Sequence, residues 1–232
     1  QEFLGKTRYI QYLPGLLLST DTLASSFSTV LSNVTNKPIQ DNYLNNGRLI
    51  RVNPPNLSMQ EIFRIHLKMA YFDNWYKNYQ MSRKQLDALQ TIVDTCQQQG
   101  IDLKVFISPA HAIQWEAVHA RELWTTFEDW KREVVKITPV WDFSGYNSIT
   151  TEPLSDTMQN YLDSAHYFAE IGDLVLNRLY DYKVEDVPPD FGVLLTSTNV
   201  ESHLAQICDQ RETWATQNPE IVQLVQHWSR EG

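Results

Sequence analysis

Residues 82–109 read as an amphipathic helix, a stop and a strand, and this succession restricts the possible folds more than any other feature of the chain. Between Ser82 and Gln99, the residues Leu86, Leu89, Ile92, Val93 and Cys96 recur on one side of a helix. Gly100 follows where a left-handed residue commonly ends such an element. "IDLKVFISP" then runs as a continuous apolar strand up to Pro109. A helix, a glycine and an apolar strand form the rhythm of a sheet covered by helices, so the chain is expected to be α/β.

The rest of the sequence fits around this unit. Ser58 and Glu61 have the spacing of a capping box, and Ile62, Phe63, Ile65, Met69, Phe72 and Tyr76 continue it as a helix. "EAVHARELWTTFEDWKREVVKI" reads as a further helix and "PVWDFSG" as a second strand ending near Gly145. Upstream, an apolar pattern from Tyr12 to Leu31 suggests a helix capped by Thr20 or Asp21. Residues 32–58 are rich in Asn and Pro, with "GRLIRV" as a short strand. "VEDVPPDFG" reads as a linker, and two helices broken near Asn218-Pro219 close the chain. We therefore expect a single domain over 1–232: an irregular and helical excursion over 1–57, an α/β core over 58–185 and a C-terminal helical extension over 186–232.

Charge and composition remove several functions. Hydrophobic residues make up 42% of the chain and aromatic residues 12%, which is incompatible with intrinsic disorder. The net charge is −9 and no basic run occurs, so no nucleic-acid partner is expected. No apolar run approaches the roughly 18 residues of a membrane span. Cys96 and Cys208 do not make a disulfide framework, and buried free thiols are the expected state. No zinc-site spacing is present either; His66 with Asp73 does not make one, and no metal or organic cofactor is expected.

The chemistry concentrates in "YLDSAHYFAEIGDLVLNRL", from Tyr161 to Leu179. Nucleophilic hydrolysis needs an imidazole to take a proton from an alcohol or thiol, and a carboxylate to fix the tautomer of that imidazole. Asp163 and His166, three residues apart in a turn ahead of an apolar-periodic helix, can supply both. The simpler reading is that Asp163 or Ser164 caps the helix and His166 is a surface residue. His111, in the turn "SPAHA" after the first strand, lies where open α/β sheets gather their ligands and is a candidate substrate-binding residue. Ser108 lacks the setting of a nucleophile, and Asp142 at the second strand end is not taken as catalytic. His66, His119, His203 and His227 fall in helical patterns as packing or surface residues. Trp75, Trp115, Trp124 and Trp130 suggest an aromatic helical layer, used in packing or, on the sharper reading, in stacking against a carbohydrate.

The "YLDSAHYFAEIGDLVLNRL" block resembles the last conserved block of SGNH (GDSL-like) hydrolases, whose Asp-x-x-His pair precedes the final helix. "LKVFISPAHA" is similar to a central strand of that fold, and "WDFSGYNSIT" to the next; the likeness lies mainly over residues 85–180. It implies a three-layer, flavodoxin-like parallel sheet with extra helices, and an esterase or O-acyltransferase acting on a small-molecule or glycan ester. Asp163 and His166 would be the acid and base of a Ser-His-Asp triad. The family carries its serine in a Gly-Asp-Ser block before these strands, and no such block is present. The chain is thus expected to be incomplete at its N-terminus, a C-terminal portion whose serine lies outside it. Its exposed sheet edge would invite self-association or a protein partner. The likeness further implies an extracytoplasmic, membrane-anchored parent protein. The alternative is a non-catalytic module of the same fold that binds a protein or glycan.

Overall fold

A computed structural model describes residues 20–35, 42–43, 49–50 and 56–231. Residues 1–54 and 55–232 are two compact units. In the first, α1 spans Thr20–Thr35, and β1 (Asn42–Tyr43) pairs antiparallel with β2 (Leu49–Ile50). The expected helix thus begins at Thr20; Tyr12, Leu16, Leu17, Asn53 and the flanks of "GRLIRV" lie outside the described residues. Among these residues no helix is long and apolar enough to cross a membrane.

The second unit opens with the expected capping box. Glu61 accepts the Ser58 amide at 3.0 Å, and the Ser58 hydroxyl accepts the Glu61 amide at 3.3 Å. Two of the orphan donors at the start of α2 (Met59–His66) are satisfied in this way. Beyond His66 the helix departs from the expected form and widens into a π-helix over Leu67–Trp75. The Tyr76 amide accordingly reaches back five residues to the Tyr71 carbonyl, at 2.7 Å. Phe63, Leu67 and Phe72 are all fully buried, and the last step of five residues fits the wider turn. Such segments are rare and gather at functional sites.

Helix α3 (Arg83–Gln99) ends on Gly100, whose φ of +66° is the left-handed stop read from the sequence. The strand after it is shorter than "IDLKVFISP" suggests, with only β3 (Phe106–Ile107) laddered. The single long helix expected next is two, α4 (Ala112–Ala120) and α5 (Trp124–Ile137). Glu122 adopts φ +56° between them, and the break lets Trp124 stack on His119 with centroids 4.2 Å apart. Strand β4 (Val140–Asp142) is parallel to β3. After α6 (Ala169–Leu179) and a 3₁₀ turn, the stretch read as a linker leads into a strand, β5 (Val193–Leu195), antiparallel to β4.

The protein is therefore mixed α/β, with a sheet of order β3-β4-β5 that holds one parallel pair rather than the wholly parallel sheet expected. The antiparallel strand follows the turn from Pro188 to Gly192. The Phe191 amide bonds the Pro188 carbonyl at 3.0 Å, and Gly192 at φ +90° reverses the chain with its Cα against Phe143. The region expected as a helical extension thus also supplies a strand, ahead of α7 (Val200–Gln217) and α8 (Pro219–Arg230).

Two parts of the core matter for the site. Phe63, Leu67 and Phe72 pack with Ile113, Ala117, Tyr161, Val225 and Trp228, binding α2 and the π-helix to α4 and α8. Ile107, Val140 and Leu195 pack beneath α5 and α7 with Val134 and Leu204. Cys96 and Cys208 are free thiols, partly exposed rather than buried.

Candidate functional site

The "DSAH" turn does not cap α6. That helix begins at Ala169, with Phe168 as its N-cap residue and no side-chain cap. The turn is instead the tip of a clasped loop. Tyr161 and Tyr167 form an antiparallel bridge, the Leu162 amide bonds the His166 carbonyl at 2.8 Å, and the Phe168 amide bonds the Asn160 carbonyl at 2.9 Å. The Glu152 carboxylate takes the amides of Gln159 and Asn160, at 2.6 and 3.0 Å. The Tyr161 hydroxyl donates to the Pro109 carbonyl at 2.8 Å, fastening the loop to the turn after β3.

Within this loop the Asp163 carboxylate accepts the amides of Ala165 and His166, at 2.9 and 2.8 Å. It also meets His166 Nδ1 at 2.8 Å. One carboxylate thus closes the turn and orients the imidazole. Asp163 is 9% exposed, while the His166 side chain is 47% exposed. Burial works to raise the Asp163 pKa. The His166 hydrogen bond, the Ala165 amide and the His66 charge outweigh it and hold the carboxyl below its usual range. An ionised carboxylate can only accept, so His166 Nδ1 is the donor in this contact and Nε2 is the nitrogen turned away from Asp163. That nitrogen makes no hydrogen bond among the described residues.

His66 completes the cluster, and the helical pattern gave it no functional role. Its Nδ1 lies 2.9 Å from the Ser164 hydroxyl and 3.3 Å from Asp163 Oδ1, and its ring centroid is 5.4 Å from that of His166. Ser164, fully buried, donates to Gln114 Oε1 at 2.7 Å, and Gln114 Nε2 donates to the Tyr76 hydroxyl at 2.5 Å. The single Ser164 proton is spent on Gln114, so His66 Nδ1 is a donor to Ser164. The π-helix sets Tyr71 edge-on against His66 at 5.3 Å. Burial and the Asp163 charge push the Tyr71 phenol up, keeping it protonated. A signal for His66 was present in the sequence: it follows Phe63 by three and Ile62 by four on the buried stripe of α2, an uncommon place for a histidine with no role.

His111 is placed behind the loop, not at its surface. It is 1% exposed, set between the rings of Phe63 and Tyr161. Its Nδ1 accepts the Ile113 amide at 3.1 Å as the N-cap of α4, and its Nε2 donates to the Glu152 carbonyl at 2.7 Å. Burial lowers its pKa to about 4, against the weaker opposing effect of Glu152, so the ring is neutral. With both nitrogens committed, this side chain supports the loop, and the expectation of a substrate contact is replaced by a positioning role. Its amide also bonds the Ser164 carbonyl at 3.0 Å.

The remaining candidates lie elsewhere. Asp142 is buried and accepts from Lys131 at 2.7 Å and His203 at 2.9 Å; Lys131 also bonds the Ser144 hydroxyl at 2.9 Å. Burial would raise the Asp142 carboxyl, but Lys131 and His203 hold it well below the usual range. This network fixes α5 and α7 to β4. Trp115, Phe127 and Trp130 stack in sequence, with centroids 5.0 and 5.7 Å apart, along a cleft of about 260 Å³ that Tyr76 and Tyr79 also line. Tyr76 therefore joins this aromatic cleft to the polar chain ending at His66.

A metal needs a different use of the same atoms. Ring nitrogens of His66 and His166 and a carboxylate oxygen of Asp163 lie within 4.8 Å of one another. No family model, no curated protein and no solved structure matches the chain.

Proposed function

We propose that this chain supplies the acid–base half of an acyl-transfer site, acting as an SGNH-like esterase or O-acyltransferase. His166 is the general base and Asp163 the group that fixes its tautomer and stabilises the imidazolium. The observation that carries the reading is the 2.8 Å contact between Asp163 and His166 Nδ1 beneath a half-exposed ring. Nε2 then accepts a proton from an attacking hydroxyl while Nδ1–H stays on the carboxylate. Ser164 is not that hydroxyl, because it is fully buried and already bonded to Gln114 and His66. The alcohol is a serine supplied from outside the described residues. The ester is a small molecule or a glycan ester.

The test is hydrolysis of p-nitrophenyl acetate by the chain and by His166→Ala. This ester is activated enough for water to take the place of the alcohol, so an oriented imidazole accelerates release of p-nitrophenol over the unfolded chain, and removing a general base lowers that rate by on the order of 10²-fold or more. Equal rates for the two proteins would retire His166 as the base. The stacked aromatic cleft favours a second reading, a non-catalytic module that binds a glycan against Trp115, Phe127 and Trp130. Glycan binding with no esterolysis would select it.

A further inference from the structure

We propose that His66, Asp163 and His166 form a binding site for a divalent transition-metal cation of the zinc type. The inference goes beyond the acyl-transfer reading and does not depend on it. Two imidazoles and one carboxylate are the donor set that zinc, cobalt and nickel favour, and they offer too few oxygens for calcium or magnesium. The three donors already lie within 4.8 Å of one another. Around a metal with bonds of about 2.0–2.2 Å, neighbouring ligand atoms stand roughly 3–3.5 Å apart. His66 Nδ1 to Asp163 Oδ1, at 3.3 Å, has this spacing already. His166 to Asp163, at 2.8 Å, needs only a small outward turn of a half-exposed ring.

The surroundings are those of ligands held from behind. The amides of Ala165 and His166 orient the carboxylate. Outer partners of this kind set the direction of first ligands and tune their affinity. His66 is the ninth residue of a continuous helical run from Ser58, and the two other donors share one clasped turn, so little chain entropy opposes assembly. The half-exposed side of His166 leaves coordination positions open to water. A net charge of −9 favours cation capture. A bound cation and a proton-accepting His166 exclude each other, so the metal would act as an inhibitor of the base.

The experiment is a cobalt titration followed by visible absorption, with zinc displacement, on the 232-residue chain in a Cys96→Ser, Cys208→Ser background that removes thiol ligands. The expected result is one cobalt per chain with visible ligand-field bands, lost on adding zinc. His66→Gln and His166→Gln should each weaken binding by at least about tenfold. His227→Gln, on a side chain 69% exposed that pairs with Glu231 and is not one of the three donors, should leave it unchanged. Circular dichroism of each variant checks that the helices persist. Absence of saturable cobalt and zinc binding in the parent chain would overturn the inference, as would binding by the His66 and His166 variants as tight as that of the parent. Binding without esterolysis removes only the acyl-transfer reading, and esterolysis without binding removes only this one. Where both hold, zinc should inhibit esterolysis at the concentrations that displace cobalt.

Discussion

Asp163 holds His166 twice, through the main-chain N–H at 2.8 Å and through ring nitrogen Nδ1 at 2.8 Å. The residue that shapes the turn is therefore the residue that orients the imidazole. Asp163→Asn keeps an oxygen that can accept the two amides but removes the charge that fixes the ring. Esterolysis should fall by on the order of 10²-fold, while stability drops by only about 1–2 kcal/mol. Rate measurements beside urea unfolding check this. Matched losses in both would mean that Asp163 acts only on the fold.

His111 makes stability depend on pH. Its folded pKa of about 4 lies below the value of 6.5 for an unperturbed histidine. Between these values the unfolded chain binds the extra proton. The contribution of His111 is thus complete above about pH 6.5 and is lost as the pH falls towards 4, a change of roughly 3 kcal/mol. Burial lowers His119 in the same direction, so the test is a difference. His111→Asn retains a side-chain acceptor for the helix cap and cannot titrate. The stability gap between parent and variant, from urea midpoints, should be widest at neutral pH and narrow on acidification. A constant gap would contradict the assignment.

Lys131 and Asp142 form a fully buried ion pair at 2.7 Å. Lys131→Met leaves a buried carboxylate with one partner fewer, and the expected loss is about 3–5 kcal/mol. The double variant Lys131→Met, Asp142→Leu should lose clearly less than the sum of the two single variants. A double-mutant cycle in urea measures the coupling; strict additivity would show that the pair is not a unit.

Gly192 is required by both backbone and space. It sits at φ +90°, and a Cβ there would stand 2.4 Å from the Phe143 ring. Gly192→Ala should cost roughly 2–5 kcal/mol by thermal or urea unfolding. Phe143→Leu in the same chain should recover part of that loss. A neutral Gly192→Ala would contradict the turn that starts β5.

Local features were legible in the sequence because their causes are local. Ser58 with Glu61, Gly100 and Pro219 mark helix ends through neighbours a few residues away. The Asp163–His166 spacing was visible for the same reason. The partners of the site were not, because they lie far along the chain: His66 meets Ser164 across 98 positions, and Asp142 meets His203 across 61. The π-helix followed an apolar pattern that an α-helix also fits over its first turns, and only the step from Leu67 to Phe72 departs from it. Strand β5 was hidden by its brevity and by Pro188 and Pro189 in the turn before it. His111 was misread because a strand-end histidine and an N-cap histidine look alike until the Ile113 amide is seen on its ring.

The most direct test of the central claim is the ring protonation of His166, read by long-range ¹H–¹⁵N NMR at neutral pH and assigned with His166→Gln. The account requires the proton on Nδ1 with Nε2 bare, and a shift towards the Nε2–H form in Asp163→Asn. A parent chain already in the Nε2–H form, or one unchanged by removal of the Asp163 charge, would contradict it.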